Sequence, residues 1–275
     1  MDNVNDLNIV IPTDLSSKSA EAIHNLIDSL EESVEITLFH CVEPAVSSGP
    51  IMIDVSDILI STAKEELQRI QSQLSSAFSD GNIIIRQHMC TGSFVYTFKE
   101  YVASELIDLV IIPSESKTTF ELLFSGRKAL SFVGELAVPT LVIPYSCSLP
   151  ATIRTGLAID QNEPHSKTVS TQLKQVSQAL SMDIRPFHID DFSENTLDYY
   201  LKQDLCTISD APVQIVPAAD ISAGIQQWCK LNQIDLLAMV THKKNFLERI
   251  FRHSTTKELI NQNHIPVLVL TNPNE

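Results

Sequence analysis

Glycine is scarce, with 7 residues in 275, and 13 prolines show no repeating pattern. A collagenous or low-complexity disordered chain is thereby excluded. Basic residues are also few, 19 Lys and Arg against 34 Asp and Glu, which leaves a formal charge of −15. Such a surface opposes nonspecific binding to nucleic acid or an anionic membrane, so neither is expected as a partner. No apolar run approaches the roughly 18–20 residues of a membrane span. The opening Met-Asp-Asn-Val-Asn-Asp lacks a basic and an apolar leader region, so a soluble, cytoplasmic protein is expected. The five cysteines, Cys41, Cys90, Cys147, Cys206 and Cys229, contain no C-x-x-C spacing and read as mostly buried thiols. His88-x-Cys90 lacks further zinc ligands, and His242 and His253 carry no carboxylate pattern, so no metal is expected. A G-x-S-x-G elbow is missing as well, which removes support for hydrolase chemistry.

What is present is a globular composition, 44% hydrophobic and 19% charged, at a length suited to about two domains of roughly 150 residues. The chain also repeats itself. Asp108-Leu-Val-Ile-Ile112 maps onto Asp235-Leu-Leu-Ala-Met239. The same shift of 127 places Lys117 on Lys244, Glu121 on Glu248, Phe124 on Phe251, Pro139 on Pro266 and Leu141 on Leu268. Upstream, Val34 to Cys41 maps onto Met182 to Ile189 through the pairs Phe39-His40 and Phe187-His188, and Asp14 maps onto Asp160. The larger upstream shift of 148 makes the second copy about 21 residues shorter between its second strand and third helix.

The copies are read as residues 1–147 and 150–275, joined near Tyr145-Ser-Cys-Ser-Leu-Pro150. In the first, apolar runs predict strands at Leu7–Thr13, Val34–Val42, Ile83–His88, Leu109–Pro113 and Thr140–Pro144. Helices are predicted at Ser17–Leu30, Val55–Phe78, Phe94–Leu106 and near Ser125–Gly134. Leu59, Ala63, Leu67, Ile70 and Leu74 fall on one face of the second helix. Continuous apolar strands alternating with helices imply an α/β fold, two doubly wound parallel-sheet units, with ligands beyond the carboxyl ends of the strands. The apolar closing strands, Thr140–Ile143 and Val267–Leu270, are expected to pair antiparallel and join ten strands into one intrachain pseudo-dimer.

Six segments and their order resemble the universal stress protein family in its tandem form: Ile9-Val-Ile-Pro-Thr-Asp14, Leu38-Phe-His-Cys-Val-Glu-Pro44, the two Asp-Leu runs, and the paired endings Val138-Pro-Thr-Leu-Val-Ile143 and Ile265-Pro-Val-Leu-Val-Leu270. The resemblance covers almost the whole chain and implies a Rossmann-like fold and a role in stress adaptation. ATP-binding members carry G-x2-G-x9-G-[ST] after the fourth strand. Here those positions fall on Pro113, Ser116, Gly126 and Arg127 in the first copy, and on Val240, Lys243, His253 and Ser254 in the second. A Cβ blocks close approach of backbone to phosphate, and Pro113 lacks an N–H. Losing two charge-assisted hydrogen bonds at about 1.5–3 kcal/mol each weakens binding on the order of 10²- to 10⁴-fold.

Other positions of the family's adenosine site are better kept. The resemblance assigns Pro12, Thr13, Asp14 and Asp160 to the strand-end carboxylate region, and Cys41, Ile112, Ile189 and Met239 to the apolar adenine side. Both aspartates fit turn or cap roles equally well, and the four apolar positions also fit the core. Lys243, Lys244, Arg249, Arg252 and Lys257 against Glu248 form a basic segment. With Ser254 and Thr255 at a predicted helix start it offers an anion site built from side chains, or a merely basic surface helix. The reading is a noncatalytic tandem protein without a tight cofactor, acting through an unidentified protein partner, with higher homo-oligomers compatible. The alternative is a weak sensor of ATP, another adenine nucleotide or an anion, with one residual site in the second unit.

Overall fold

The structure, a computed structural model, describes residues 7–30, 33–43, 56–79, 83–114, 133, 135–159, 167–190, 211–241 and 265–271. Its strands in the first half are β1 (Leu7–Pro12), β2 (Val34–Val42), β3 (Ile83–Thr91), β4 (Leu109–Ser114) and β5 (Thr140–Pro144). Those of the second are β6 (Ile153–Ala158), β7 (Met182–Asp190), β8 (Gln214–Pro217), β9 (Leu236–Thr241) and β10 (Val267–Thr271). The helices described are α1 (Ser17–Asp28), α2 (Ser56–Ala77), α3 (Phe94–Ser104), α4 (Lys167–Ala179) and α5 (Ile221–Leu231).

The sheet order is β3-β2-β1-β4-β5-β10-β9-β6-β7-β8. Read outward from the middle, each half has the same sequence of strands, and every neighbour pair is parallel except β5 with β10. The antiparallel seam sets Val267 against Val142, Leu268 against Leu141 and Val269 against Thr140. The intrachain pairing expected of the two closing strands is therefore present. The repeat offsets also survive as structure, since β2 and β7, and β4 and β9, start and end at equivalent positions.

Local chemistry explains the elements. The Ser16 hydroxyl accepts from Ser19 N at 3.1 Å and caps α1, replacing one of the orphan N–H partners of a helix start. Asp220 does the same for α5, accepting from Ala223 N at 2.7 Å. β1 is buried along nearly its whole length, as a central parallel strand covered on both faces must be. Helix α2 buries Ala63, Leu67, Ile70 and Leu74, but Leu59 is 41% exposed. The apolar stripe thus touches the sheet one turn later than its spacing predicts.

Two cores lie on opposite sheet faces, and each crosses the seam. One joins Ile23, Ile27, Leu67 and Leu141 to Leu268, Leu270, Val169 and Leu173, under α1, α2 and α4. The other joins Phe39, Phe98, Val133 and Val142 to Val267, Val269, Phe187 and Trp228, under α3 and α5. Strand β3 runs on to Thr91 and α3 stops at Ser104, so both differ from their predicted ends, while Leu106 is 88% exposed. The shortened region of the second copy, residues 191–210, lies outside the described residues. Among the described residues no helix is long and apolar enough to cross a membrane.

Candidate functional site

Strand order reverses direction at β1 and β4 in the first unit, and at β6 and β9 in the second. The crevice beyond the carboxyl ends of such strands is where open α/β sheets hold ligands. Pro12 and Thr13 are buried at the end of β1, and Asp14 is exposed just beyond. Its Oδ1 accepts from Ser16 N at 2.9 Å, an Asx turn leading into α1. Thr13 is held from several sides. Its N–H donates to Phe39 O at 2.9 Å, its Oγ1 accepts from Leu15 N at 3.1 Å, and Oγ1 lies 3.2 Å from Ser19 Oγ. Leu15 has φ 64, so this turn holds a non-glycine residue in the left-handed region.

The Phe-His pairs repeat as geometry. His40 Nδ1 lies 2.8 Å from Thr13 O, and His188 Nδ1 lies 2.8 Å from Ile159 O, at the equivalent place in the second unit. A carbonyl only accepts, so Nδ1 carries the proton in both rings. Each histidine ties the end of the second strand to the loop after the first, the loop that bears Asp14 in one unit and leads to Asp160 in the other. Sequence reasoning used these pairs to align the repeat and missed this role.

Glu43 was also missed. Its Oε1 accepts from Phe94 N at 3.2 Å, placing a carboxylate at the start of α3, where Ser93 makes no side-chain cap. Gly92, with φ +135, makes the turn before it. Membership of the quoted Phe-His-Cys-Val-Glu run was the available signal.

The apolar positions divide. Ile112 and Met239 are buried at 1% and 0% exposure and belong to the core on the α3 and α5 face. Ile189 is 7% exposed and packs where Gly224 of α5 comes closest, a Cβ on that glycine falling 3.1 Å from Ile189 Cγ2. Cys41 is half-buried, its Sγ donating to Gly92 O at 3.3 Å and lying 3.3 Å from Thr97 Oγ1. Burial pushes its thiol up to about 11. The expectation of mostly buried thiols holds for Cys229, whose burial pushes it to about 12, while Cys41, Cys90 and Cys147 are half-buried. They sit at strand ends and beside the linker, where cover is incomplete.

Pro113 and Val240, at the first glycine position of the phosphate pattern, are buried within β4 and β9. Gly126, Arg127, Asp160, Lys243, Arg252, His253, Ser254 and Thr255 lie outside the described residues. Among the described residues no group of three or more His, Cys, Asp or Glu is placed to hold a metal ion.

The model of the universal stress protein family matches residues 7–144 and 209–271. No curated protein matches the chain. Among solved structures, a universal stress protein from Archaeoglobus fulgidus DSM 4304 is similar at 17% identity and TM-score 0.69, with 97% of each chain covered. A functionally unknown protein from Pseudomonas aeruginosa PAO1 is similar at 13% identity and TM-score 0.57, with 97% of this chain and 93% of the other covered. The cytoplasmic domain of a prokaryotic cation chloride cotransporter shares the fold at 9% identity and TM-score 0.52, over 98% and 97% of the two chains. With one family match on each side of the seam of a single ten-stranded sheet, the chain belongs to the universal stress protein family.

Proposed function

We propose that this chain is a noncatalytic tandem universal stress protein that acts in stress adaptation through protein contacts, tight ATP binding having been lost from both units. The observation that carries the reading is the packing of Ile112, Met239 and Ile189, which would have to wall an adenine and instead contribute to the core. The first unit adds support from its own residues. Asp14 spends one carboxylate oxygen on Ser16 N, and Pro113 supplies no N–H to a phosphate.

Thermal unfolding with and without 1 mM Mg-ATP tests the reading. A ligand at or below its dissociation constant adds at most about RT ln 2, near 0.4 kcal/mol, so the melting temperature should barely move. A shift of many degrees, or micromolar binding by calorimetry, would replace this reading with that of a nucleotide sensor. In that case Lys243→Glu with Arg252→Glu distinguishes a second-unit site, because it should remove the binding while Arg127→Glu leaves it.

A further inference from the structure

Cys41 and Cys90 are far apart in the chain and direct partners in the sheet, paired in register on β2 and β3. Both pack against the same core face, the one containing Phe39 and Phe94. Neighbouring strands are about 4.8 Å apart, inside the roughly 4.4–6.8 Å Cα separation that disulfides span. Cys90 Sγ donates to His40 O at 3.8 Å, and Cys41 Sγ to Gly92 O at 3.3 Å. Strand β3 ends the sheet, so a shift that brings the two sulfurs together disturbs strand pairing on one side only.

We propose that Cys41 and Cys90 form a redox-responsive dithiol which hydrogen peroxide converts to an intrachain disulfide and small thiols restore. In the first step the Cys90 sulfur attacks one peroxide oxygen. The O–O bond breaks, one water leaves and Cys90 becomes a sulfenic acid. In the second, the Cys41 sulfur attacks the Cys90 sulfur. The S–S bond forms, the S–O bond breaks, and the departing hydroxide takes the Cys41 proton as a second water. Two electrons pass from the thiols to the peroxide. The order follows from position in the sheet: Cys90 lies on the edge strand β3, which peroxide reaches first, and Cys41 lies on the inner strand β2, directly beside it, to resolve the sulfenic acid. Once bonded, Cys41 gives up its contacts to Gly92 O and Thr97 Oγ1, loosening the start of α3 from β2.

The test uses the full chain, natively folded and reduced, exposed to hydrogen peroxide and quenched with an alkylating reagent before digestion. Trypsin should place Cys41 in the peptide 19–64 and Cys90 in 87–99. The expected product joins these two peptides, about 2 Da lighter than their sum, and returns to free peptides with dithiothreitol. Cys90→Ser and Cys41→Ser should each abolish it. In Cys41→Ser, dimedone should capture a sulfenic acid on Cys90, a readout that does not depend on closing the bond. Absence of the joined peptide while Cys90 overoxidises to sulfinic acid would overturn the proposal. So would linkage of Cys90 to another cysteine, or formation of disulfide dimers in place of the internal bond.

Discussion

Asp108 and Asp235 show why a repeated residue need not be a ligand. Asp108 Oδ2 accepts from Asn8 N at 2.9 Å, and Asp235 Oδ2 accepts from Arg154 N at 3.0 Å. In return, each aspartate's own N–H donates to the carbonyl of the same residue. The first and fourth strands of each unit are thus tied at the end opposite the candidate crevice. Asp235 does more, because the Arg154 guanidinium donates to both of its oxygens, at 2.8 and 2.9 Å. Burial opposes its charge, but the Arg154 hydrogen bonds and charge outweigh this and hold its carboxyl below the usual value. The group therefore adds stability above the unfolded-state pKa near 3.8, and that stability is lost as pH falls through the lower folded value. Asp108→Ala should cost about 1–3 kcal/mol by leaving the Asn8 amide unpaired. Asp235→Ala should cost more at pH 7, and the difference between the two variants should shrink as urea unfolding is repeated at pH values descending below 4.

The equivalent helices α3 and α5 illustrate how two copies of one element solve the same packing problem differently. In the first unit the small Cys41 meets Thr97. In the second, Ile189 takes the place of Cys41 and Gly224 that of Thr97, so a larger strand residue faces a helix residue without a side chain. Gly224 is required by close approach, since a Cβ there would lie 2.7 Å from Ala218 Cβ. Nearby, Gly156 on β6 admits Trp228, which stacks on Phe187 with ring centroids 3.8 Å apart. Gly224→Ala gains up to about 1 kcal/mol of helix propensity. Overpacking at about 1–3 kcal/mol opposes it. A net loss in denaturant midpoint is expected, partly recovered when Ala218→Gly removes the nearest clashing atom. A stabilised Gly224→Ala chain would show that α5 can move off the sheet freely.

For the whole molecule the seam decides whether there are two units or one. Leu141 and Leu268 face each other across β5 and β10, both fully buried, and carry one core across the seam, while Val142, Val267 and Val269 carry the other. Thr271 Oγ1 adds a bond to Leu136 O at 2.7 Å, from one unit to the other. Leu141→Asp with Leu268→Asp forfeits about 1.5–3 kcal/mol of burial per side chain and leaves carboxylates desolvated without partners. The double variant should show an enlarged hydrodynamic radius or aggregate in size-exclusion chromatography, and lose cooperativity in unfolding. Wild-type radius and stability would mean the units hold together by contacts other than this seam.

The α/β class, the twofold repeat and the strand positions were legible in the residues because hydrophobic patterning is local: a run such as Leu7–Pro12 is apolar throughout since it must be covered on both faces. Even the seam could be anticipated, from two apolar closing strands that would otherwise be left at an edge. The candidate site was less legible. Apolar residues at strand ends look alike whether they line a crevice or fill a core, and the packing of Ile112, Ile189 and Met239 depends on how closely α3 and α5 approach. The same holds for partners far apart in the chain. That His40 would secure Thr13, Glu43 would reach α3, and Cys41 would stand beside Cys90 depends on strand register. Register is set by the simultaneous burial of whole strands, where a slip of one residue turns every side chain to the other face, so only the tertiary structure decided these contacts.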